Sequence, residues 1–177
     1  MAKLVSKTYG DALFDLAVEE QALDGITEEI KVVQQIFTEN EDLIRLLNHP
    51  KISKDEKVKV IEDLFKGKIS DYVVGFLVII VDKGRYNDIT AIIDYYLARV
   101  REYHNIGVAA VTSAFPLSEA QKKQIEQRLL ETTKYVQFQM NYIVDKSIIG
   151  GLIIRIGDRV VDSSIKNQLK NMAKALA

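Results

Sequence analysis

The sequence has no cysteine and no tryptophan, and only two prolines and two histidines in 177 residues. Without cysteine there can be no disulfide and no thiolate metal ligand, and an intracellular compartment is the simpler expectation. His49 precedes a proline and His104 closes a helical pattern, and neither stands near a nucleophile elbow or within an HExxH pattern. That leaves almost nothing from which to build a transition-metal site or a Ser-His triad. Long apolar runs are missing as well. The longest, YVVGFLVIIV from Tyr72 to Val81, falls well short of the ~20 residues of a membrane-spanning helix. The opening MAKLVSKTYGD has no apolar signal core, so a soluble chain is expected. Nor is there an excess of one charge. The net value of −1 argues against a dedicated nucleic-acid binder.

What is present is enough apolar material for a buried core, with 47% hydrophobic and 28% charged residues, in one or two small domains. The charge is unevenly placed. Up to Asn105 there are 14 Lys and Arg against 19 Asp and Glu, and from Ile106 onward 10 against 6. Differently charged halves suggest two domains that face different partners, and ordinary scatter of surface charge would look the same.

The first half, residues 1–105, reads as six helices. Tyr9, Leu13, Leu16 and Ala17 recur at helical spacing, as do Ile26, Ile30, Val33 and Phe37. A short segment with Leu43, Leu46 and Leu47 stops before Pro50. SKDE offers a capping box, Ser53 to Glu56, ahead of Val58, Ile61, Leu64 and Phe65. Ser70 can cap the apolar run and Gly84 can close it. Ile89, Ile92, Ile93, Tyr96, Leu97 and Val100 mark the sixth. Short connections between helices predict a compact antiparallel bundle.

From residue 106 to 177 the pattern changes to a small mixed α/β domain. VAAVTSAF is strand-like, SEAQ is a second capping box before a helix with Ile125 and Leu129, and YVQFQMNYIV alternates cleanly. LIIRI and RVVD flank Gly157 and Asp158, a two-residue loop with glycine leading, which predicts a type II′ hairpin. Asp162 opens DSS, the cap of a last helix carrying Ile165, Leu169, Met172 and Leu176. The fold class expected is α+β, a six-helix bundle followed by this smaller domain with its hairpin.

Gly150, Gly151 and Gly157 do not make GxGxxG and they precede a strand, where a nucleotide loop would follow one. A bulge or a close backbone contact at the strand entry is the better account of Gly150 and Gly151. FKGKIS lacks the spacing of a Walker loop. No residue set calls for a metal or a cofactor, and no catalytic constellation emerges.

The excess lies elsewhere. Around the first helix, apolar residues fill a wide arc that Phe14 and Val18 extend, leaving Asp11, Asp15 and Glu19 as the polar stripe. The run 72–81 is apolar on every side. If Tyr72, Phe76, Ile79 and Ile80 face the bundle, then Val74, Leu77, Val78 and Val81 are left over. Either this helix is central and buried all round, or the first and fifth helices flank a groove for an amphipathic helix from another protein.

The segment IIGGLIIRIGDRVVDSSIKNQL, with TYGDALFDLA, DKGRYNDI and VTSAFPLSEAQ in support, resembles the delta-subunit family of bacterial F-type ATP synthases, related to the mitochondrial oligomycin-sensitivity-conferring protein. The likeness spans the whole chain. One departure is Gly10, where the family often has alanine. The resemblance implies a non-catalytic stator subunit without cofactors, peripheral to the cytoplasmic face of the bacterial plasma membrane and bound to it only through the complex. One copy per complex is implied, monomeric when isolated. It implies that the N-terminal domain holds the N-terminal helix of an alpha subunit between its first and fifth helices, with Phe14, Val18, Val74, Leu77, Val78 and Val81 as candidates. The C-terminal domain would meet the end of the b-subunit stalk, often acidic, with Arg155, Arg159, Lys166 and Lys170 as candidate contacts. A small soluble enzyme with an unrecognised site is the alternative.

Overall fold

The structure is a computed structural model and describes residues 2–175. The chain divides into two compact units, one up to Val100 and the other from Arg101 onward. Among the described residues it forms eight α-helices and one four-stranded sheet, the mixed helix-and-sheet class expected.

The first unit is built from α1 (Ala2–Glu19), α2 (Leu23–Glu39), α3 (Glu41–Asn48), α4 (Lys54–Phe65), α5 (Asp71–Asp82) and α6 (Ile89–Tyr103), whose last turn crosses the boundary. Their starts and stops follow local chemistry. At α4, Glu56 N donates to Ser53 Oγ and Ser53 N donates to the Glu56 carboxylate at 2.9 Å, so two otherwise orphaned amides are satisfied reciprocally. The bonds its carboxylate accepts from Ser53 N and Ser53 Oγ hold Glu56 below its usual range. The expected Ser70 cap of α5 is not made. Ser70 Oγ instead donates to Glu29 at 2.6 Å, tying the start of α5 to α2. Gly84, at φ +68, ends α5, with Arg85 N reaching back to Ile80 O, because a left-handed residue there costs glycine nothing.

One continuous core joins these helices, centred on Leu13, Ile30, Phe65, Leu77, Ile80 and Tyr96. Thr27 Oγ1 gives its proton to Leu23 O, so the buried Tyr96 hydroxyl donates to Thr27 at 3.2 Å. Gly10 is explained by packing: a Cβ there would strike the Tyr95 ring. With the ring seated against α1, Tyr95 OH donates to Asp11 at 2.9 Å, and Arg99 approaches the same carboxylate at 3.9 Å. Gly10 thus exchanges helix propensity for close α1–α6 contact.

The second unit has β1 (Ile106–Ser113), α7 (Glu119–Thr132), β2 (Gln137–Val144), β3 (Leu152–Ile156), β4 (Arg159–Asp162) and α8 (Ile165–Ala175). The sheet order is β2-β1-β3-β4. β1 and β2 run parallel with α7 as the crossover, while β3 is antiparallel to both β1 and β4. α7 starts with a capping box between Ser118 and Gln121 and lays Leu129 and Ile125 on a small core with Ala109 and Phe138. Gly157 has φ +55 between β3 and β4, where Ile156 pairs with Arg159 across Gly157 and Asp158.

Candidate functional site

An open furrow of about 340 Å³ runs between α1 and α5, lined by Ala12, Leu16, Tyr72, Gly75, Phe76 and Ile79 among others. Sequence reasoning placed an α1–α5 groove here but assigned the opposite face of α5 to it. Leu77 and Val81 are 0% exposed, whereas Tyr72 is 44% and Ile79 53% exposed. Val74 and Phe14 are also buried in the core, and none of Phe14, Val74, Leu77 and Val81 belongs to the furrow wall. Val78 is half-buried against that core, and Val18 is exposed on α1 but is not part of the furrow wall. The orientation is set by packing: Val73, Leu77, Ile80 and Val81 have no exposure and belong to one core with Ile30 and Val33 of α2 and Ile61 and Phe65 of α4.

Tyr72, Gly75, Phe76 and Ile79 stand at i, i+3, i+4 and i+7, one stripe of a helix. Gly75 deepens the furrow, since nothing lies within 4 Å of the position its Cβ would take. Tyr72 OH donates to Glu20 at 3.0 Å, linking α5 to the residue just past α1, and the carboxylate pushes the phenol above its usual range. Asp71 lines the furrow and Asp15 and Glu19 are exposed along α1, so its surroundings are acidic.

In the second unit the four cationic candidates do not form one patch. Arg155 pairs with Val160 and Arg159 with Ile156, which puts the two arginines on opposite faces of the sheet. Lys166 and Lys170 are one turn apart on α8, and Lys174, which sequence reasoning missed, continues the row. Of the apolar residues of α8, Ile165, Leu169 and Met172 are 42%, 53% and 61% exposed; Leu176 lies outside the described residues.

Gly151 is required by a backbone contact and Gly150 faces a side chain. A Cβ on Gly151, at φ +78, would strike the carbonyl of Ser163, and one on Gly150 would meet the tip of Ile165 at 2.7 Å. Ile165 N donates to Gly150 O at 3.0 Å, so the pair lets the start of β3 lie against the start of α8. The Ser164 hydroxyl and then its amide, which donates to Asp162 at 2.9 Å, hold the Asp162 carboxyl below its usual range, and Asn167 N donates to Ser164 Oγ as the helix cap. Asp158 sits in the turn before β4. A second cavity of about 570 Å³ lies between α7 and β3, lined by Phe115, Leu117, Ile125, Leu129, Leu152 and Ile154 among others. Its single charged lining residue, Arg128, is paired with Glu131 at 3.2 Å. Among the described residues no group of His, Asp and Glu is gathered as metal ligands.

Comparison with known proteins places the chain in a family. The family described as ATP synthase delta (OSCP) subunit matches residues 5–176. An ATP synthase subunit delta of Lachnoclostridium phytofermentans is 66% identical over 99% of this chain and 97% of its own length. One from Alkaliphilus oremlandii is 36% identical over 100% of this chain and 98% of its own. A chain in the cryo-EM structure of the Toxoplasma gondii mitochondrial ATP synthase hexamer shares the fold. Its TM-score is 0.73 at 20% identity, covering 97% of this chain and 96% of that one.

Proposed function

The chain belongs to the ATP synthase delta (OSCP) subunit family, and from that premise we propose how its two units join a catalytic head to a stator stalk. It is a peripheral-stalk subunit of an F-type ATP synthase, structural and not catalytic. Among the described residues no helix is long and apolar enough to cross a membrane, and the subunit is peripheral to the membrane through its complex. In our reading that is the cytoplasmic face of a bacterial plasma membrane, with one copy per complex.

The first unit holds the N-terminal helix of an alpha subunit in the α1–α5 furrow. The observation that carries this is the Tyr72–Gly75–Phe76–Ile79 stripe, a helical seam left open beside a filled core. Such a seam accepts the apolar face of an amphipathic helix, and the acidic residues around it favour basic flanks on the visitor. Burying the exposed parts of Leu16, Tyr72 and Ile79 contributes on the order of 1 kcal/mol each, with a similar gain from the partner's side chains, before the cost of association. The second unit meets the end of the b-subunit stalk. Linked in this way, the head is kept from turning with the rotor, and torque goes into ATP synthesis.

The test is a calorimetric titration of the full chain with a synthetic peptide of the cognate alpha-subunit N-terminus. Saturable binding with a negative heat-capacity change is expected, lost on Ile79→Asp. Absence of binding, or binding indifferent to Ile79→Asp, would overturn the furrow assignment.

A further inference from the structure

We infer that the α7–β3 cavity binds a small amphiphile, a medium-length acyl chain ending in a carboxylate. The site lies wholly within the second unit and does not depend on what that unit assembles with. Its volume of about 570 Å³ falls in the range of pockets that take small molecules. Ser113, the last residue of β1, and the loop as far as Leu117 line one end. The cavity therefore stands at the carboxyl end of a strand that has a parallel neighbour, the place where α/β sheets ordinarily bind ligands. Ile125, Leu129, Leu152 and Ile154 make its walls apolar, and Phe115 beside them is 67% exposed. From Gln121 to Arg128 the α7 wall runs about 10 Å, the length of a medium-chain acyl group. The buried core next to it is small, with Ala109, Leu129 and Phe138, so an alkyl chain fills space that the unit's own side chains leave. A helix about 10–12 Å across would fill that volume with roughly one turn, so a slender chain fits it better.

The polar groups decide the head group. Among the described residues the lining holds one charge, Arg128, and no carboxylate. Gln121, Gln124 and Arg128 stand at i, i+3 and i+7, along one edge of α7. Gln121 Oε1 already accepts from Ser118 N and Ser118 Oγ, which leaves its Nε2 to donate. This edge offers donors and a cation, so the group it suits is an anion. Arg128 meets Glu131 at 3.2 Å as an exposed i,i+3 pair, and pairs of that kind are weak enough to yield to a better-placed carboxylate. The α1–α5 furrow has the opposite character, with Asp71 in its wall and no cation. The two open apolar sites thus sort ligands by charge.

The test records NMR spectra of the full chain, with leucine and isoleucine methyls labelled, during titration with decanoate below its micellar concentration. Saturable shifts are expected at Ile125, Leu129, Leu152 and Ile154, with Leu16 and Ile79 of the furrow unmoved. Octanoate is expected to bind about tenfold more weakly, since two fewer methylenes leave water. Decanol, which lacks the charge, is also expected to bind about tenfold more weakly than decanoate at low salt. Arg128→Gln should bring decanoate down to the affinity of decanol and leave decanol unchanged. Gln124→Trp, at the mouth, should abolish both, with circular dichroism unchanged because that side chain is exposed. Absence of saturable shifts, or shifts that survive Gln124→Trp, would overturn the site. Equal affinities for decanoate and decanol, or indifference to Arg128→Gln, would overturn the carboxylate. Cosedimentation with phosphatidylglycerol vesicles that decanoate displaces and Gln124→Trp abolishes would give the cavity to a membrane lipid, and would overturn the inference as well.

Discussion

Replacing Gly75 with Leu separates an open furrow from a filled core because the two accounts predict opposite signs. Gly75 lies mid-helix in α5, where glycine costs about 1 kcal/mol relative to a good helix former. Nothing lies within 4 Å of the place its Cβ would take, so a leucine side chain starts into open space and relieves that cost. For a unit of about a hundred residues, 1 kcal/mol corresponds to roughly 5 °C in melting temperature. The new isobutyl group then stands in the middle of the 340 Å³ furrow, between Tyr72 and Ile79, where a visiting helix would have to lie. The full chain should therefore melt a few degrees higher by differential scanning calorimetry while losing affinity for the alpha-subunit peptide by a hundredfold or more. A melting temperature that drops by several degrees would show that α5 packs differently. One that rises with affinity intact would show that the peptide binds elsewhere.

Leu77→Ala should destabilise the first unit by about 3 kcal/mol, since Leu77 is wholly buried, whereas Ile79→Ser should cost under about 1 kcal/mol. Urea unfolding of both variants checks this, and the reverse order would refute the orientation of α5. Gly151→Ala should cost about 1–2 kcal/mol or more, because a left-handed φ and the Ser163 carbonyl both oppose it. Gly150→Ala meets only the flexible tip of Ile165 and should cost less. Equal urea midpoints for the two would contradict the backbone-contact account. Asp145 and Asp162 are held below their usual range by hydrogen bonds from Ser147 and Ser164 respectively. A group that binds its proton more weakly when folded adds stability above its unfolded pKa, about 3.9, and loses it as pH falls through the folded value. Asp145→Asn with Asp162→Asn should therefore lose stability less steeply below about pH 4, and a parallel decline in urea midpoints would count against those bonds.

Where a residue's role is settled by its neighbours in the chain, the sequence was a sufficient guide. Ser53 with Glu56, Ser118 with Gln121, Gly84 past α5 and Gly157 in its turn all satisfy backbone groups within a few residues. The alternation of Phe138, Met140 and Tyr142 likewise follows from the pleat. The face of α5 was not legible in the same way, because a helix apolar on every side gives hydrophobic periodicity nothing to register. A weaker signal was there. At about 100° per residue, Asp71, Gly75 and Asp82 fall within about 40° of one another, and Tyr72 and Ile79 lie beside that arc. Two charged ends and a missing side chain marked the outward face. For α8 the stripe itself was legible. Amphipathicity says that something covers a seam, but not whether the cover belongs to the same chain.

The two units bury apolar surface very differently, and this bears on how such a joint can carry load. The first has a continuous core running from Leu13 to Val100, so its furrow is an addition to a domain already complete. Among the described residues, buried apolar side chains in the second are few: Ala109, Val111, Ala114, Leu129, Phe138 and Ile148. Meanwhile Val160, Val161, Ile165, Leu169 and Met172 remain exposed. If the stalk covers these residues, it supplies the apolar contact that this unit does not supply itself, and binding and folding become linked. Force arriving along the stalk would then act on a surface continuous with the unit's own packing. Separating the stalk would require exposing part of what holds the unit together, so the joint would resist in proportion to a domain's stability as well as to a surface contact.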